Sequence, residues 1–152
     1  LMTSVQLVEQ LITVLRRDSS GAVLVSGISL GGWVTNLHRT FYNSADAYVP
    51  LLAGAALDEL FLTSGYRKMA GQLAAAHPEK IRDILNFEEQ FRQVPDDNVF
   101  PLLGLYDQYI QYERQKLCYD HRPVKTLETG HVTSLLAADQ LRDYIVEVFK
   151  SI

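Results

Sequence analysis

A glycine-flanked serine directly after a short apolar run constrains this sequence more than any other feature. Residues 22–25 are typical of a buried strand, and the residues that follow place Ser29 between Gly27 and Gly31, with Gly32 next. A serine on a sharp strand-to-helix turn has a strained backbone that crowds its neighbours, and glycines relieve that crowding. The pattern predicts an exposed Ser29 hydroxyl at the C-terminal edge of a sheet. A tight turn with an incidental serine is the simpler interpretation of the same letters.

The rest of the chain alternates between strand-like and helix-like segments. Further strands are predicted at residues 47–56, 99–105 and 124–127, and amphipathic helices at 3–17, 33–41, 108–118 and the C-terminus. Two more helices are predicted within residues 57–97, one near 66–76 and one from Pro78 onward with an apolar side formed by Ile81, Ile84, Leu85 and Phe91. This alternation predicts an α/β fold in one domain, residues 1–152, with a parallel sheet between two layers of helices.

Composition and charge exclude several classes of function. Apolar residues make up 47% of the 152 residues, which is enough for a real core, and the net charge of −4 comes without a basic stripe, so nucleic-acid binding is not expected. No apolar run is long enough to span a membrane, and the N-terminus lacks a signal-peptide layout. The single cysteine, Cys118, is interpreted as a buried apolar residue and favours a cytoplasmic location. No metal or cofactor is expected.

Residues 22–33, AVLVSGISLGGW, resemble the nucleophile elbow of the α/β-hydrolase superfamily. The resemblance covers nearly the whole chain, from the helix before the elbow onward, but only the C-terminal half of the family's fold. It therefore implies a partial α/β-hydrolase fold with a catalytic triad in the chain order serine, acid, histidine. It also implies that residues 57–97 form a helical, lid-like insertion, for which a plain helical connection is an equally good interpretation.

The serine needs a base within hydrogen-bond reach, and the chain has four histidines. His38 lies within a predicted helix, His77 lies in the long segment after the second strand, and His121 lies in a polar turn. Only His131 follows a predicted strand, behind Gly130, at the sheet edge where function gathers in doubly wound folds. This Gly-His pair also matches the turn that follows the last strand in the resembled family, so His131 is the predicted base.

Two carboxylates are candidates for the acid that orients His131. Asp107 follows the third predicted strand and fits the family's pattern, while Asp58, after the second strand, is the fallback. The backbone N–H of Leu30 is the first predicted oxyanion donor. In the family, the second donor comes from a loop after an earlier strand, which these residues do not include.

These residues predict a serine hydrolase that cleaves an ester or related acyl bond of a small molecule, and an acyltransferase would use the same triad. The alternative belongs to a different class, a catalytically incomplete half-fold that serves as an interaction or assembly module. Its first strand would lie at an open sheet edge, and unpaired edges attract partners. We expect this edge to be covered by a second copy, by a missing N-terminal half, or by the helix at residues 3–17.

Overall fold

In the computed structural model, which describes residues 1–68 and 70–152, a parallel sheet of four strands lies at the centre of the molecule. The strands are β1 (Leu24–Ile28), β2 (Ala47–Leu51), β3 (Leu102–Gly104) and β4 (Lys125–Leu127). They lie side by side in chain order, and each neighbouring pair is parallel. The predicted α/β class and the predicted strand order are both confirmed.

Helices connect and cover the strands. They are α1 (Met2–Asp18), α2 (Leu30–Phe41), α3 (Asp58–Leu62), α4 (Gly71–Ala76), α5 (Pro78–Leu85), α6 (Glu88–Gln93), α7 (Tyr112–Lys116) and α8 (Ala138–Ser151), with 3₁₀ turns at Gly65–Lys68, Leu117–Tyr119 and Thr133–Ala137. None of the helices in the described part of the chain is both long enough and apolar enough to cross a membrane.

Two hydrophobic cores, one on each face of the sheet, show the three-layer arrangement that the alternation predicted. Because successive strand residues point to opposite faces, Leu103 belongs to the core shared with α1, α2 and α6, and Leu102 belongs to the core shared with α8. Cys118 is fully buried in the first core, as expected, and this burial raises the pKa of its thiol.

The first two strands differ from their predicted bounds in opposite directions. β1, predicted at residues 22–25, continues to Ile28 because its last residue still pairs with Leu51 of β2. β2, predicted at residues 47–56, ends at Leu51, and the next residue, Leu52, has a φ of 55°. That left-handed conformation is incompatible with a continuing strand.

The third strand is much shorter than the predicted range 99–105. Val99 makes only an isolated parallel bridge to Tyr48, and regular pairing resumes at Leu102–Gly104. Pro101 lies between these two places, and it has no N–H to donate to a ladder. The proline therefore explains why a continuous apolar segment yields a three-residue strand.

The helix predicted from Pro78 onward is divided in two. α5 ends at Leu85 because Asn86 is extended, with φ −95° and ψ 120°, and the Asn86 side-chain oxygen accepts the N–H of Glu88 at the start of α6. Ile84, which was expected on the apolar side, is 77% exposed. The break turns α6 toward the core and leaves this part of α5 facing solvent.

The helix predicted near residues 66–76 is also not continuous. The structure has a 3₁₀ turn at Gly65–Lys68 and then α4, and Met69 between them lies outside the described residues.

A buried histidine joins α1, α2 and β2. His38 is fully buried, with Nδ1 3.1 Å from the hydroxyl of Tyr48 and Nε2 3.1 Å from a carboxylate oxygen of Glu9. A neutral ring with its proton on Nε2 satisfies both contacts, because it donates to Glu9 and accepts from Tyr48. Burial lowers the pKa of His38, and the hydrogen bond that His38 donates to Glu9 only partly opposes this. The histidine therefore has a structural role, as its position within a predicted helix suggested.

This network predicts a pH-dependent stability. The unfolded chain binds a proton at His38 below about pH 6.5, whereas the folded chain resists protonation there, so the free energy of unfolding should fall as the pH drops below that value. Urea unfolding at several pH values measures this dependence. The free energy of unfolding should change by at most about 1.4 kcal/mol per pH unit, and His38→Gln should remove this change. The exposed His121→Gln should keep the slope. A His38→Gln variant with the wild-type pH dependence would contradict this assignment.

Candidate active site

Ser29 occupies the turn between β1 and α2. Its backbone has φ 53° and ψ −115°, a conformation that is strained for any residue other than glycine. Its N–H donates to the carbonyl of Leu51 at 2.8 Å, and its carbonyl accepts the N–H of Trp33 at 3.1 Å, which anchors the turn to β2 on one side and to α2 on the other. The strained strand-to-helix turn predicted from the motif is confirmed.

Three side chains from the C-terminal ends of different strands meet at this turn. Ser29 Oγ lies 2.7 Å from His131 Nε2, and His131 Nδ1 lies 2.7 Å from Asp107 Oδ2. Ser29 follows β1, Asp107 follows β3 and His131 follows β4. The sequence therefore predicted correctly which side chains would be neighbours, and their catalytic roles stay predictions.

Solved structures share the fold that carries this constellation, although no family model and no curated protein sequence matches the chain. The meta-cleavage product hydrolase CumD from Pseudomonas fluorescens IP01 aligns with a TM-score of 0.59 and 14% identity, over 93% of this chain and 69% of that chain. An esterase from Pyrococcus furiosus aligns with a TM-score of 0.68 and 16% identity, over 97% of this chain and 61% of that chain. MGS-MChE2, an α/β hydrolase enzyme from a lagoon-sediment metagenome, aligns with a TM-score of 0.62 and 16% identity, over 94% and 68% respectively.

This chain has the α/β-hydrolase fold. It spans about two thirds of the length of the three hydrolases, from 61% to 69%, so it holds part of that fold. The resemblance inferred from residues 22–33 is confirmed at the level of the fold.

In this α/β-hydrolase fold the glycines around the serine are not equivalent. A Cβ on Gly27 would lie 2.4 Å from the backbone carbon and oxygen of Gly31, and one on Gly32 would lie 2.8 Å from the carbonyl oxygen of Leu51. A Cβ on Gly31 would meet nothing within 4 Å. The expected crowding is therefore present at Gly27 and at Gly32. The backbone of Gly31 lies close to Gly27, but a side chain on Gly31 itself would have space.

Asp107 is buried and accepts hydrogen bonds at both oxygens. Oδ1 accepts the N–H groups of Tyr109 at 2.9 Å and Ile110 at 3.2 Å, and Oδ2 accepts from Gln115 Nε2 at 2.9 Å as well as from His131. Burial by itself would raise the pKa of Asp107, but these hydrogen bonds, led by that of His131, hold it below its ordinary value. Asp107 is therefore kept as a carboxylate.

One helix begins later than predicted. The helix predicted at residues 108–118 starts only at Tyr112, because the backbone of Gln111 directly before it is extended, with φ −53° and ψ 140°.

The other candidates lie elsewhere. Asp58, the fallback acid, is 1% exposed in the first turn of α3, where burial, followed by the charge of Glu59, raises its pKa. His77 precedes α5 and lies 3.5 Å from Glu79, while His121 pairs with its neighbour Asp120 on the surface. His131 has Asp107, and not Asp58, at its Nδ1, so the preference for Asp107 as its neighbour is confirmed.

A cavity of about 190 Å³ opens beside Ser29. Its walls are mostly apolar and aromatic, formed by Trp33, Leu52, Leu60, Tyr66, Tyr109 and Ile110. Leu60 and Tyr66 belong to the segment at residues 57–97, so this segment contributes part of the wall next to the serine. Its identification as a lid stays a prediction, because a lid is defined by movement.

Two residues at the site were not found from the sequence. The ring of Tyr109 stands edge-on to that of His131, with centroids 5.0 Å apart and an interplanar angle of 87°. Gln115 reaches Asp107 from α7. Both fall within the predicted helix 108–118, and nothing in the periodicity of that segment separates them from ordinary helical residues.

Proposed function

We propose that this chain is a serine hydrolase that cleaves an ester or related acyl bond in a small molecule. Ser29 is the nucleophile, His131 the general base and Asp107 the carboxylate that orients His131. The observation that carries the proposal is the continuous hydrogen-bonded chain from Ser29 Oγ through His131 to Asp107, at a strained turn beside a cavity. The hydrolase and esterase activities named for structures of the same fold support this reaction class.

In the first half of the reaction, Ser29 Oγ attacks the carbonyl carbon of the substrate while its proton passes to His131 Nε2. The carbonyl oxygen becomes an oxyanion that accepts the N–H of Leu30, at the beginning of α2, where the helix dipole also favours negative charge. His131 then gives the proton to the leaving alcohol, and Ser29 is left as an acyl ester. A water molecule that gives its proton to His131 then attacks the acyl ester in the same way. This step releases the acid and restores the Ser29 hydroxyl.

The cavity favours a small, apolar acyl group. Its volume of about 190 Å³ is below the range of roughly 300–1,000 Å³ that is common for drug-sized ligands. The walls offer aromatic and aliphatic surface, and the polar groups are concentrated at Ser29, Asp107, Gln115 and His131. A short or compact acyl chain therefore fits the described walls better than a long fatty acyl chain.

Labelling with a fluorophosphonate probe tests the proposal directly, because the probe reacts with an activated serine. We expect one label on the 152-residue chain, located at Ser29 by mass spectrometry of its peptides. Ser29→Ala should lose the label. Ser26→Ala, at an exposed position on the strand that leads to Ser29, should keep it. No label on the wild-type chain, or an undiminished label in Ser29→Ala, would overturn the proposed activity.

A second candidate function, assembly through the edge of the sheet, rests on the exposure of β1. Within the described residues β1 pairs only with β2, and Ser26 in its middle is exposed. α1 packs against α2, in the first core, and leaves this strand open. Apolar side chains from 41% to 56% exposed lie on the helices of both outer layers, namely Leu7, Leu11, Val14 and Leu15 on α1 and Val146 and Phe149 on α8.

For this second function we propose a second copy as the occupant of the edge. A two-fold axis perpendicular to the sheet would make two β1 strands antiparallel neighbours and bring like helices together, which is a self-complementary contact. Sedimentation equilibrium should then give twice the 17.2 kDa mass of the chain, and Leu11→Glu should restore the single mass. A wild-type chain that stays at 17.2 kDa over the concentration range would contradict assembly, independently of the labelling result.

A further inference from the structure

Gln115 is a buried amide that holds the carboxylate of the proposed triad. It lies in α7 and is 2% exposed. Its Nε2 donates to Asp107 Oδ2 at 2.9 Å and to the carbonyl oxygen of Ile110 at 2.6 Å. Asp107 Oδ2 is the same oxygen that accepts from His131 Nδ1. Gln115 and His131 therefore share one acceptor atom.

These two contacts determine which way the amide faces. If the oxygen and nitrogen of Gln115 exchanged places, the oxygen would face a carboxylate oxygen and a carbonyl oxygen, which is repulsive. In the observed orientation Oε1 is buried and has no hydrogen-bond partner within the part of the chain that the structure describes. An unpaired buried acceptor is costly. The observed orientation leaves Oε1 unpaired and directs both amide hydrogens at the loop after β3.

The backbone around Gln115 is also held in place. A Cβ on Gly54 would lie 3.0 Å from the carbonyl oxygen of Gln115, so the glycine lets α7 approach the chain after β2 closely. The neighbouring Arg114 forms ion pairs with Glu88 of α6 and Glu59 of α3. These contacts fix α7 against the segment at residues 57–97 and thereby fix the amide relative to Asp107.

We propose that Gln115 is a positioning residue for the reaction, which fixes the rotamer of Asp107 and limits how strongly its charge acts on His131. This inference rests on the proposed function. A hydrogen bond to a carboxylate spreads its negative charge over the donor as well, so an Asp107 without Gln115 would attract the proton on His131 more strongly. Without Gln115, the Asp107 carboxylate would keep only its hydrogen bonds to His131 and to the backbone. The position of Oδ2 would then be less restricted.

Gln115→Met tests the proposal because methionine has a similar length and cannot donate a hydrogen bond. With p-nitrophenyl butyrate we expect kcat to fall by about tenfold, with KM nearly unchanged. The acidic limb of the kcat/KM profile should move to higher pH, because His131 keeps its proton longer beside a less shielded carboxylate. Gln111→Met, an exposed glutamine just before α7, is the matched control and should change neither quantity.

A second measurement does not depend on turnover. The proton on His131 Nδ1 should give a low-field NMR resonance in the wild-type chain, and in Gln115→Met this resonance should move further downfield because Asp107 becomes the stronger acceptor. Circular dichroism verifies that the variant is folded. A folded Gln115→Met with unchanged kcat, unchanged acidic limb and unchanged resonance would overturn the positioning role. A wild-type chain without activity would instead count against the proposed function, and the resonance would still report on Gln115.

Discussion

Asp107→Asn should lower kcat/KM for ester hydrolysis by about 10⁴-fold while leaving the chain folded. Asp107 accepts four hydrogen bonds, two from backbone N–H groups and the others from Gln115 and His131. An asparagine has only one acceptor oxygen, so its amide nitrogen would replace one of the two carboxylate oxygens. Facing His131, this nitrogen would either meet the N–H on Nδ1 or force the ring into the other tautomer. In that tautomer Nε2 carries the proton and cannot take one from Ser29.

The matched control is Asp58→Asn, the other carboxylate considered for this role. Burial raises the pKa of Asp58, which favours its neutral form, and a neutral asparagine of the same shape should leave kcat/KM within about threefold of the wild type. The measurement is steady-state hydrolysis of a p-nitrophenyl ester, with thermal melts for both variants. A large loss in Asp58→Asn together with a small one in Asp107→Asn would move the acid to the segment after β2.

Gly27→Ala should destabilise the chain by about 3 kcal/mol and abolish labelling at Ser29. The new methyl carbon would lie 2.4 Å from the backbone carbon and oxygen of Gly31, and a contact that short has to be relieved by moving backbone. Those atoms belong to the first turn of α2, which also determines the conformation of Ser29. The relief therefore displaces the hydroxyl from His131.

Gly31→Ala separates this steric effect from a general preference for glycine in the motif. A Cβ there would meet nothing within 4 Å, and alanine is the better helix former by about 1 kcal/mol. We expect the urea midpoint of Gly31→Ala to equal or exceed that of the wild type, with labelling retained. Equal destabilisation by the two substitutions, or a Gly27→Ala chain that is as stable as the wild type, would contradict this explanation of the turn.

The fold and most of the candidate site could be predicted from local patterns because parallel strands impose a simple geometry. A strand's C-terminal end lies at the same sheet edge as the C-terminal ends of its parallel neighbours, so residues that follow different strands converge there. Ser29, Asp107 and His131 each follow a strand. Asp58 also follows one, and the pattern of the resembled family favoured Asp107 over it. The order of the strands was equally accessible, since consecutive parallel strands with helical connections tend to be neighbours.

Strand and helix ends were less predictable because the conformations of single residues decide them. β2 stops where Leu52 adopts a positive φ, and α7 begins only after Gln111, whose backbone is extended. Asn86 likewise divides the helical segment after Pro78. Each of these ends depends on the backbone conformation of one residue within a segment of favourable periodicity. The apolar periodicity does not show where such a residue interrupts the segment.

The sequence by itself determined the strained serine turn, the α/β class, the strand order and the three residues that meet at the sheet edge. These depend on short-range geometry, namely the glycines beside Ser29 and the alternation of apolar periods. Only the tertiary structure decided that Gly27 and not Gly31 is crowded, and that Gln115 holds the acid. Both depend on distances between atoms that come together only when the chain folds and the helices pack onto the sheet.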